Sequence, residues 1–325
     1  MTSISQKVRK ALPAALAATM LGSAVLMAAP AQANEVPAKS APSDVRDLAK
    51  KLRAAHQEGI KNGQVPKVSG RSGAAAAASS LNGDNKADLV AAKPNGDVYI
   101  YTSKGTSFNK PEYVPEADYT YFNLIRQVGD LDNDGYPDMI ARTTDGWLLT
   151  SAWTPDAGVI SGGWGGFKNL TVTGDINGDG REDLTANDAA GNFYMWRGGG
   201  DYHFGARKTI GSGWANYTTI GRGDYSGDGR PDLLARDPKG GLWMYKGTGR
   251  SELPFKSRVL VGSGWNFTAY VSTGDMTGDG VSDFLVRDKS GTMYGYPGRG
   301  SETVPFKTSS RFTIGGGWNT FSLFG

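Results

Sequence analysis

The stretch that decides the fold is DLDNDGYPD at Asp130–Asp138, in which acidic or amide side chains stand at alternate positions. Three more strong copies read DINGDGRED at Asp175–Asp183, DYSGDGRPD at Asp224–Asp232 and DMTGDGVSD at Asp275–Asp283. A weaker copy, SLNGDNKAD, lies at Ser80–Asp88. The copies start 45 to 51 residues apart. A recurring period of this length is typical of a repeat architecture.

The sequence between the acidic copies repeats as well. Each copy runs into a short apolar stretch, a glycine turn and an aromatic strand such as NFYMW at Asn192–Trp196. A third strand ends before a Gly-Trp pair, and a fourth, such as NFTAYVSTG at Asn266–Gly274, leads into the next acidic copy. Short β-rich pieces with frequent turns and no helical period indicate strands. Four strands per unit, repeated radially, predict an all-β fold, a five-bladed β-propeller. The predicted repeats are 80–129, 130–174, 175–223, 224–274 and 275–325.

The last segment of the chain predicts how the ring closes. GGGWNTFSLFG at Gly315–Gly325 copies the strand that precedes each acidic motif. We expect it to supply the inner strand of the first blade, which removes an open sheet edge. The rival segment, Ala74–Ser80, has no Trp and no large apolar residue and is interpreted as linker.

The first 33 residues predict a secretory signal peptide. A basic start is followed by an apolar run over Ala11–Ala29 and by a small-x-small triplet, Ala31-Gln32-Ala33. This order predicts cleavage after Ala33 and a secreted protein. The alternative interpretation is a membrane anchor helix.

Residues 34–79 are predicted to form a short helix and a flexible linker before the propeller at 80–325. Asp44 is a candidate helix cap, with Val45, Leu48 and Leu52 on one face. A Gly-, Ser- and Ala-rich stretch follows and is typical of a linker.

Composition limits the partners and the source of stability. Three of the 35 basic residues lie in the leader, so the remainder carries 32 basic and 32 acidic residues. This balance argues against nucleic acid as the main partner. The chain has no cysteine, so core burial, ring closure and bound metal are the expected sources of stability.

The acidic copies have the spacing of a calcium loop. Calcium prefers six to eight oxygen ligands, and side-chain oxygens at positions 1, 3, 5 and 9 with a backbone carbonyl at 7 can surround one ion. Glycine at position 6 allows the bend. We predict several structural calcium ions; the alternative is a metal-free turn in which Asp side chains accept backbone N–H groups. The candidate ligands are Asp130, Asp132, Asp134, Tyr136, Asp138; Asp175, Asn177, Asp179, Arg181, Asp183; Asp224, Ser226, Asp228, Arg230, Asp232; Asp275, Thr277, Asp279, Val281, Asp283; and, more weakly, Asn82, Asp84 and Asp88.

On these motifs, the repeats resemble the FG-GAP or VCBS-type repeats of the integrin α-subunit head and of many secreted, especially actinobacterial, proteins. The resemblance implies a propeller with calcium in the loops between the first and second strands of the blades. Two departures stand out. The integrin ring has seven longer blades, and the FG dipeptide is mostly replaced here, as in Thr173-Gly174.

Five aromatic residues recur at one place in the repeat, namely Trp164, Trp214, Trp265, Trp318 and, in the first unit, Tyr119. They have two interpretations: packing between blades, or platforms on which sugar rings stack. Carbohydrate binding, as in a lectin, is the leading prediction. The alternative is an extracellular protein-interaction, adhesion or targeting subunit of a larger complex.

The residues offer little for catalysis. The chain has two histidines, His56 and His203, and no cysteine. No Ser-His-Asp set is apparent, and the patterned aspartates are already assigned to calcium. A hydrolase is therefore the least favoured alternative, and we predict no catalytic residues.

Overall fold

The acidic copies and their flanking strands fold into five antiparallel sheets, the blades of a β-propeller. The computed structural model describes residues 36–37, 41–61, 79–114, 118–132, 138–150, 158–306 and 308–325. The predicted leader at 1–33, most of the predicted linker, and the candidate ligands Asp134 and Tyr136 lie outside the described residues. In the part of the chain that is described, no helix has the length and apolar character needed to cross a bilayer.

The elements are short and β-rich. There is one α-helix, α1 (Ser43–Lys61), among the described residues, with 3₁₀ turns at Trp164–Gly166, Thr308–Ser310 and Trp318–Thr320. In chain order the strands are β1 (Val36–Pro37), β2 (Leu89–Ala92), β3 (Val98–Tyr101), β4 (Glu112–Val114), β5 (Phe122–Val128), β6 (Asp138–Thr143), β7 (Leu148–Thr150), β8 (Val159–Gly162), β9 (Phe167–Gly174), β10 (Asp183–Asp188), β11 (Phe193–Trp196), β12 (Lys208–Gly211), β13 (Thr218–Gly223), β14 (Asp232–Arg236), β15 (Leu242–Gly247), β16 (Phe255–Gly262), β17 (Ala269–Gly274), β18 (Asp283–Arg287), β19 (Met293–Tyr296), β20 (Phe312–Gly315) and β21 (Leu323–Phe324).

The blades are offset by one strand from the sequence repeats. Blade 2 contains β5 to β8, blade 3 β9 to β12, blade 4 β13 to β16 and blade 5 β17 to β20, while blade 1 has the order β21-β2-β3-β4. The strand before each acidic copy is the innermost one, because β5, β9, β13, β17 and the C-terminal strand meet around a small central cavity. Each sequence repeat therefore supplies three strands to one blade and the inner strand to the next.

The core lies between neighbouring blades. Strands that follow the acidic copies are buried along their length, as in β2 and β14. One apolar cluster joins Ile140 and Leu148 of blade 2 to Leu184 and Tyr194 of blade 3. Both faces of these sheets are covered. The strands are therefore short apolar runs in the sequence and do not alternate between polar and apolar residues.

The C-terminal strand closes the ring, as the sequence predicts. β21 pairs antiparallel with β2, with Phe324 opposite Ala91. Val90 and Gly325 exchange two backbone hydrogen bonds, of 3.0 and 2.9 Å. From blade 2, the Arg126 guanidinium donates to the Phe324 carbonyl at 3.1 Å, and the Gln127 amide donates to the Gly325 carbonyl at 3.0 Å. The first blade is thus built from the two ends of the propeller segment.

The predicted N-terminal helix is present and packs on the ring. Ala41, Val45 and Ala49 are buried in the apolar cluster that also holds core residues of blades 1 and 2. Ahead of it, β1 pairs with β8 and adds a fifth strand to the outer edge of blade 2. The segment before the propeller is therefore attached to blade 2 at both the sheet edge and the blade 1–2 seam.

Candidate functional site

We call the five acidic copies loop 1 (80–88), loop 2 (130–138, described at 130–132 and 138), loop 3 (175–183), loop 4 (224–232) and loop 5 (275–283). Each leads into the second strand of its blade, where a calcium-loop interpretation places it. The bend falls at position 6, where Gly180, Gly229 and Gly280 have φ of +83°, +82° and +88°. Loop 1 makes the same bend with Asn85, at φ +62°, an angle that asparagine tolerates better than most residues do.

The position-1 carboxylates organise loops 3, 4 and 5. Asp275, for example, accepts backbone N–H bonds from Gly278, Asp279 and Gly280 at 2.6, 3.1 and 2.7 Å. Asp175 and Asp224 repeat this three-bond pattern. These bonds hold the loop closed, and they are the local reason why Asp at position 1, followed by glycines, takes this conformation.

The position-9 carboxylates are buried and link two parts of the same blade by hydrogen bonds; we call them braces. Asp88, Asp138, Asp183, Asp232 and Asp283 are at most 2% exposed. In four of them one oxygen accepts the backbone N–H of loop position 2 or 3, and the other accepts the backbone N–H fifteen residues later, at or just after the end of the third strand. Asp283, for example, accepts from Thr277 and Gly298, both at 2.8 Å. Each brace therefore ties the loop to the end of the third strand of its own blade.

Burial changes the acidity of these braces. It raises the pKa of Asp88, Asp183 and Asp232 to about 6 and that of Asp283 to about 7, and the backbone hydrogen bonds offset part of the rise. A cation in the loop would favour the ionised form of such a carboxylate.

Replacing a brace is expected to destabilise the blade. The substitution Asp283→Asn puts an amide NH₂ where one backbone N–H is now accepted, so one buried donor loses its partner. We expect the free energy of unfolding to fall by about 1–3 kcal/mol. Urea denaturation in EDTA measures this without a metal contribution. Glu112→Gln, which removes an exposed charge, is the control, and equal midpoints for the two variants would contradict the brace.

Loop 2 has the donor set that best fits a divalent cation. Carboxylate oxygens of Asp130, Asp132 and Asp138 lie within 4.8 Å of one another, and among the described residues no other three acidic side chains are grouped in this way. Hard carboxylate oxygens at this spacing suit calcium. The predicted ligands of loops 3, 4 and 5 stand at the same loop positions, and their metal binding stays a prediction.

Tyr202 was not predicted from the sequence. It extends from blade 3 onto loop 2, where its hydroxyl donates to Asp138 at 3.0 Å and its backbone N–H donates to the Leu131 carbonyl at 3.4 Å. Its φ of +62° is unusual for a tyrosine. Burial, with Asp138 and Asp132 nearby, holds the pKa of Tyr202 above its usual value. Tyr202 does not recur in the other repeats, so its contact with loop 2 is seen only in the folded chain.

Other loops also meet the following blade, through segments that follow its third strand. We call 103–108, 198–204 and 298–306 the joint segments. The Ser301 N–H donates to the Tyr225 carbonyl of loop 4 at 3.2 Å. The Ser103 hydroxyl donates to the Met276 carbonyl of loop 5 at 2.7 Å. The acidic loops thus act as joints between neighbouring blades.

The five repeated aromatics pack between blades. Trp164, Trp214, Trp265, Trp318 and Tyr119 are 1–9% exposed. Each tryptophan lies against an aromatic ring on the third strand of the following blade, with centroids 4.7 to 5.0 Å apart; the partners are Trp196, Tyr245, Tyr296 and Tyr101, respectively. This is the packing alternative named from the sequence. Ligand binding by these rings stays a prediction, and one of them, Trp318, lines an open groove.

That groove runs along the seam between blades 5 and 1 and has a volume of about 540 Å³. We call it the blade 5–1 groove. Its aromatic lining residues are Tyr99, Tyr101, Phe108, Trp318 and Phe321. Gly315, Gly316 and Gly317 form one wall, and a Cβ atom at any of the three would meet nothing within 4 Å. The remaining lining includes the polar residues Lys93, Ser107, Asn109 and Thr320.

A family model described as FG-GAP-like repeat matches residues 81–141, 175–235 and 224–286, which is more than half of the chain. No curated protein matches.

Among solved structures, 115 chains match. One from a nidogen/laminin complex has 11% identity and a TM-score of 0.39, over 73% of this chain and 97% of that one. BBS1N in complex with ARL6DN has 14% identity and a TM-score of 0.35, over 70% of this chain and 62% of that one. The BP39L lectin from Burkholderia pseudomallei has 15% identity and a TM-score of 0.37, over 65% and 66%. Similarity at this level carries no functional information. The family match, together with the five blades, shows that the chain belongs to the FG-GAP-like repeat proteins.

Proposed function

We propose that this protein is a secreted, calcium-binding β-propeller that binds carbohydrate in the blade 5–1 groove, and that it works by binding rather than by catalysis. The observation that carries the proposal is the lining of the groove, which combines five aromatic residues with three consecutive glycines. Its volume of about 540 Å³ is within the range of small-ligand sites.

The lining suits a sugar ring. Aromatic faces stack on the apolar faces of pyranose rings, and glycines let a ligand approach backbone N–H and C=O groups. Lys93 donates to the Tyr99 hydroxyl at 2.9 Å and lies 4.4 Å from the centroid of the Tyr99 ring. Asn109, Ser107 and Thr320 add amide and hydroxyl groups. A sugar has apolar ring faces that can stack on the aromatic residues and hydroxyl groups that can hydrogen-bond to the polar ones.

Calcium would have a structural role. In loop 2, Asp130, Asp132 and Asp138 would hold the ion, together with Asp134 and the Tyr136 carbonyl predicted from the sequence. The ion supplies positive charge among clustered carboxylates and stabilises the folded state to which it binds.

Loop 5 connects calcium to the groove. The Ser103 hydroxyl accepts the Gly105 N–H and donates to the Met276 carbonyl in loop 5. The same joint segment contributes Ser107 and Phe108 to the groove. An ion in loop 5 would fix Met276 and through it this segment, so sugar affinity should depend on calcium.

A second candidate function is docking of an extracellular protein. β16 is the last strand of its sheet among the described residues, is eight residues long, and exposes Leu260 at 51%. An exposed sheet edge can accept a strand from a partner. β1 does this to blade 2 within the chain.

The test is a glycan array probed with the full chain in calcium, with titration of each hit by soluble sugar. Gly316→Tyr should block the groove, since Gly316 does not need a positive φ and faces open space. We expect its Kd for the hit sugar to rise at least tenfold, or about 1.4 kcal/mol. Gly166→Tyr is the matched control, because Gly166 also faces open space but lies outside the groove.

Two outcomes would overturn carbohydrate binding in the groove. One is an array with no hit that soluble sugar displaces. The other is a hit that Gly316→Tyr and Gly166→Tyr bind equally well. A silent array with capture of a defined extracellular protein, lost on Leu260→Lys, would favour the second candidate.

A further inference from the structure

A nearly buried lysine from β15 of the same blade contacts loop 4. Lys246 is the penultimate residue of β15, and its side chain is 11% exposed. Its ammonium lies 3.2 Å from a carboxylate oxygen of Asp228, at position 5 of loop 4. The same ammonium contacts the carboxylate of Glu302 in the joint segment of blade 5.

The Lys246 ammonium supplies positive charge to Asp228, as a bound metal ion would. The Asp228 carboxylate would supply one of the oxygen ligands of a calcium ion in loop 4, and here it forms an ion pair with Lys246. An ammonium and a divalent ion on the same carboxylate repel each other. The donor set of loop 4 therefore does not fit a calcium ion while Lys246 is present.

The sister loops differ at the corresponding residue, which stands fourteen positions after the brace. In blade 3 it is Arg197, whose guanidinium is 3.5 Å from Asp179 but whose side chain is 55% exposed. In blade 5 it is Pro297, which carries no charge. The buried pairing is thus particular to loop 4 among these three.

Loop 4 keeps the other groups that a metal would need. Asp224 and Asp232 stand at positions 1 and 9. The Ser226 hydroxyl, at position 3, is buried beside the Asp232 carboxylate. The loop is therefore built to take an oxygen-coordinated ion once the competing charge is removed.

We infer that Lys246 replaces calcium in loop 4 and joins blade 4 to blade 5 through Asp228 and Glu302. This inference rests on the proposed calcium binding by the other loops and predicts that occupancy around the ring is not uniform. Loop 4 would then keep its blade junction closed when calcium is low.

The test counts the calcium ions bound to the full chain by titration calorimetry, with calcium itself as the probe. We expect Lys246→Met to bind one ion more than the wild type. The double variant Lys246→Met/Asp228→Asn should lose that ion and return to the wild-type number. Lys239→Met, at an exposed lysine of the same blade, should leave the number unchanged.

Asp228→Asn alone tests the inference even if Lys246→Met does not fold. We expect it to leave the number of bound ions unchanged, whereas a loss of one ion would show that calcium already occupies loop 4 and would overturn the inference. Equal numbers for the wild type and a folded Lys246→Met would overturn it too. If the wild type binds no calcium but Lys246→Met binds one ion, the proposed calcium binding by the other loops fails, while the exclusion of calcium from loop 4 by Lys246 stands.

Discussion

Deletion of Leu323–Gly325 is expected to lower the melting temperature by about 10 °C or more and to broaden the unfolding transition. The deletion removes the inner strand of blade 1, including Phe324, which is 6% exposed. Truncating a buried Phe alone costs about 3–5 kcal/mol, and 1 kcal/mol shifts the melting temperature of a chain this size by about 2 °C; the lost strand pairing adds to this. Differential scanning calorimetry of the full and shortened chains measures the change.

Ser322→Ala is the control for this deletion. Ser322 is exposed; the substitution removes its 3.3 Å hydroxyl bond to the Ala92 carbonyl but preserves the backbone N–H bond to the same carbonyl. We expect a change within about 0.5 kcal/mol. The deletion also removes one carbonyl acceptor from each of the Arg126 and Gln127 side chains, which keep their bonds to the Ile125 and Asp88 carbonyls. An unchanged melting temperature after the deletion would mean that the ring does not depend on this strand.

Removal of calcium with EDTA is expected to lower the melting temperature, and Asp132→Asn should reproduce part of the effect with calcium present. A site saturated at 100 times its Kd stabilises the fold by about 2.7 kcal/mol. Asp132 is one of three carboxylates grouped within 4.8 Å in loop 2, so its loss should weaken that site most directly. Thermal unfolding at matched ionic strength, with and without calcium, measures both effects.

Asp118→Asn removes an exposed carboxylate outside the acidic loops and should keep the full calcium response. The metal interpretation fails if calcium and EDTA give the same melting temperature for the wild type. The aspartates would then be turn-forming residues only, a role that the bonds from backbone N–H groups to Asp175, Asp224 and Asp275 already describe.

The sequence alone determined the repeat, the number of blades and the way the ring closes. These features are local or periodic: five acidic copies, a Gly-Trp pair in most units, and a last segment that copies each inner strand. The position-6 bend could also be predicted, because glycine and asparagine are the residues that tolerate φ near +80° or +60°.

The tertiary structure decided which of these residues face each other. The repeated tryptophans could be packing residues or sugar platforms until the fold placed them between blades. The same is true of Tyr202 on loop 2, of Lys246 between Asp228 and Glu302, and of the blade 5–1 groove. These contacts join residues from different blades, some of them far apart in the sequence, such as Arg126 and Phe324, which are 198 residues apart. No local propensity encodes such pairs, because they form only when the closed ring brings neighbouring blades together.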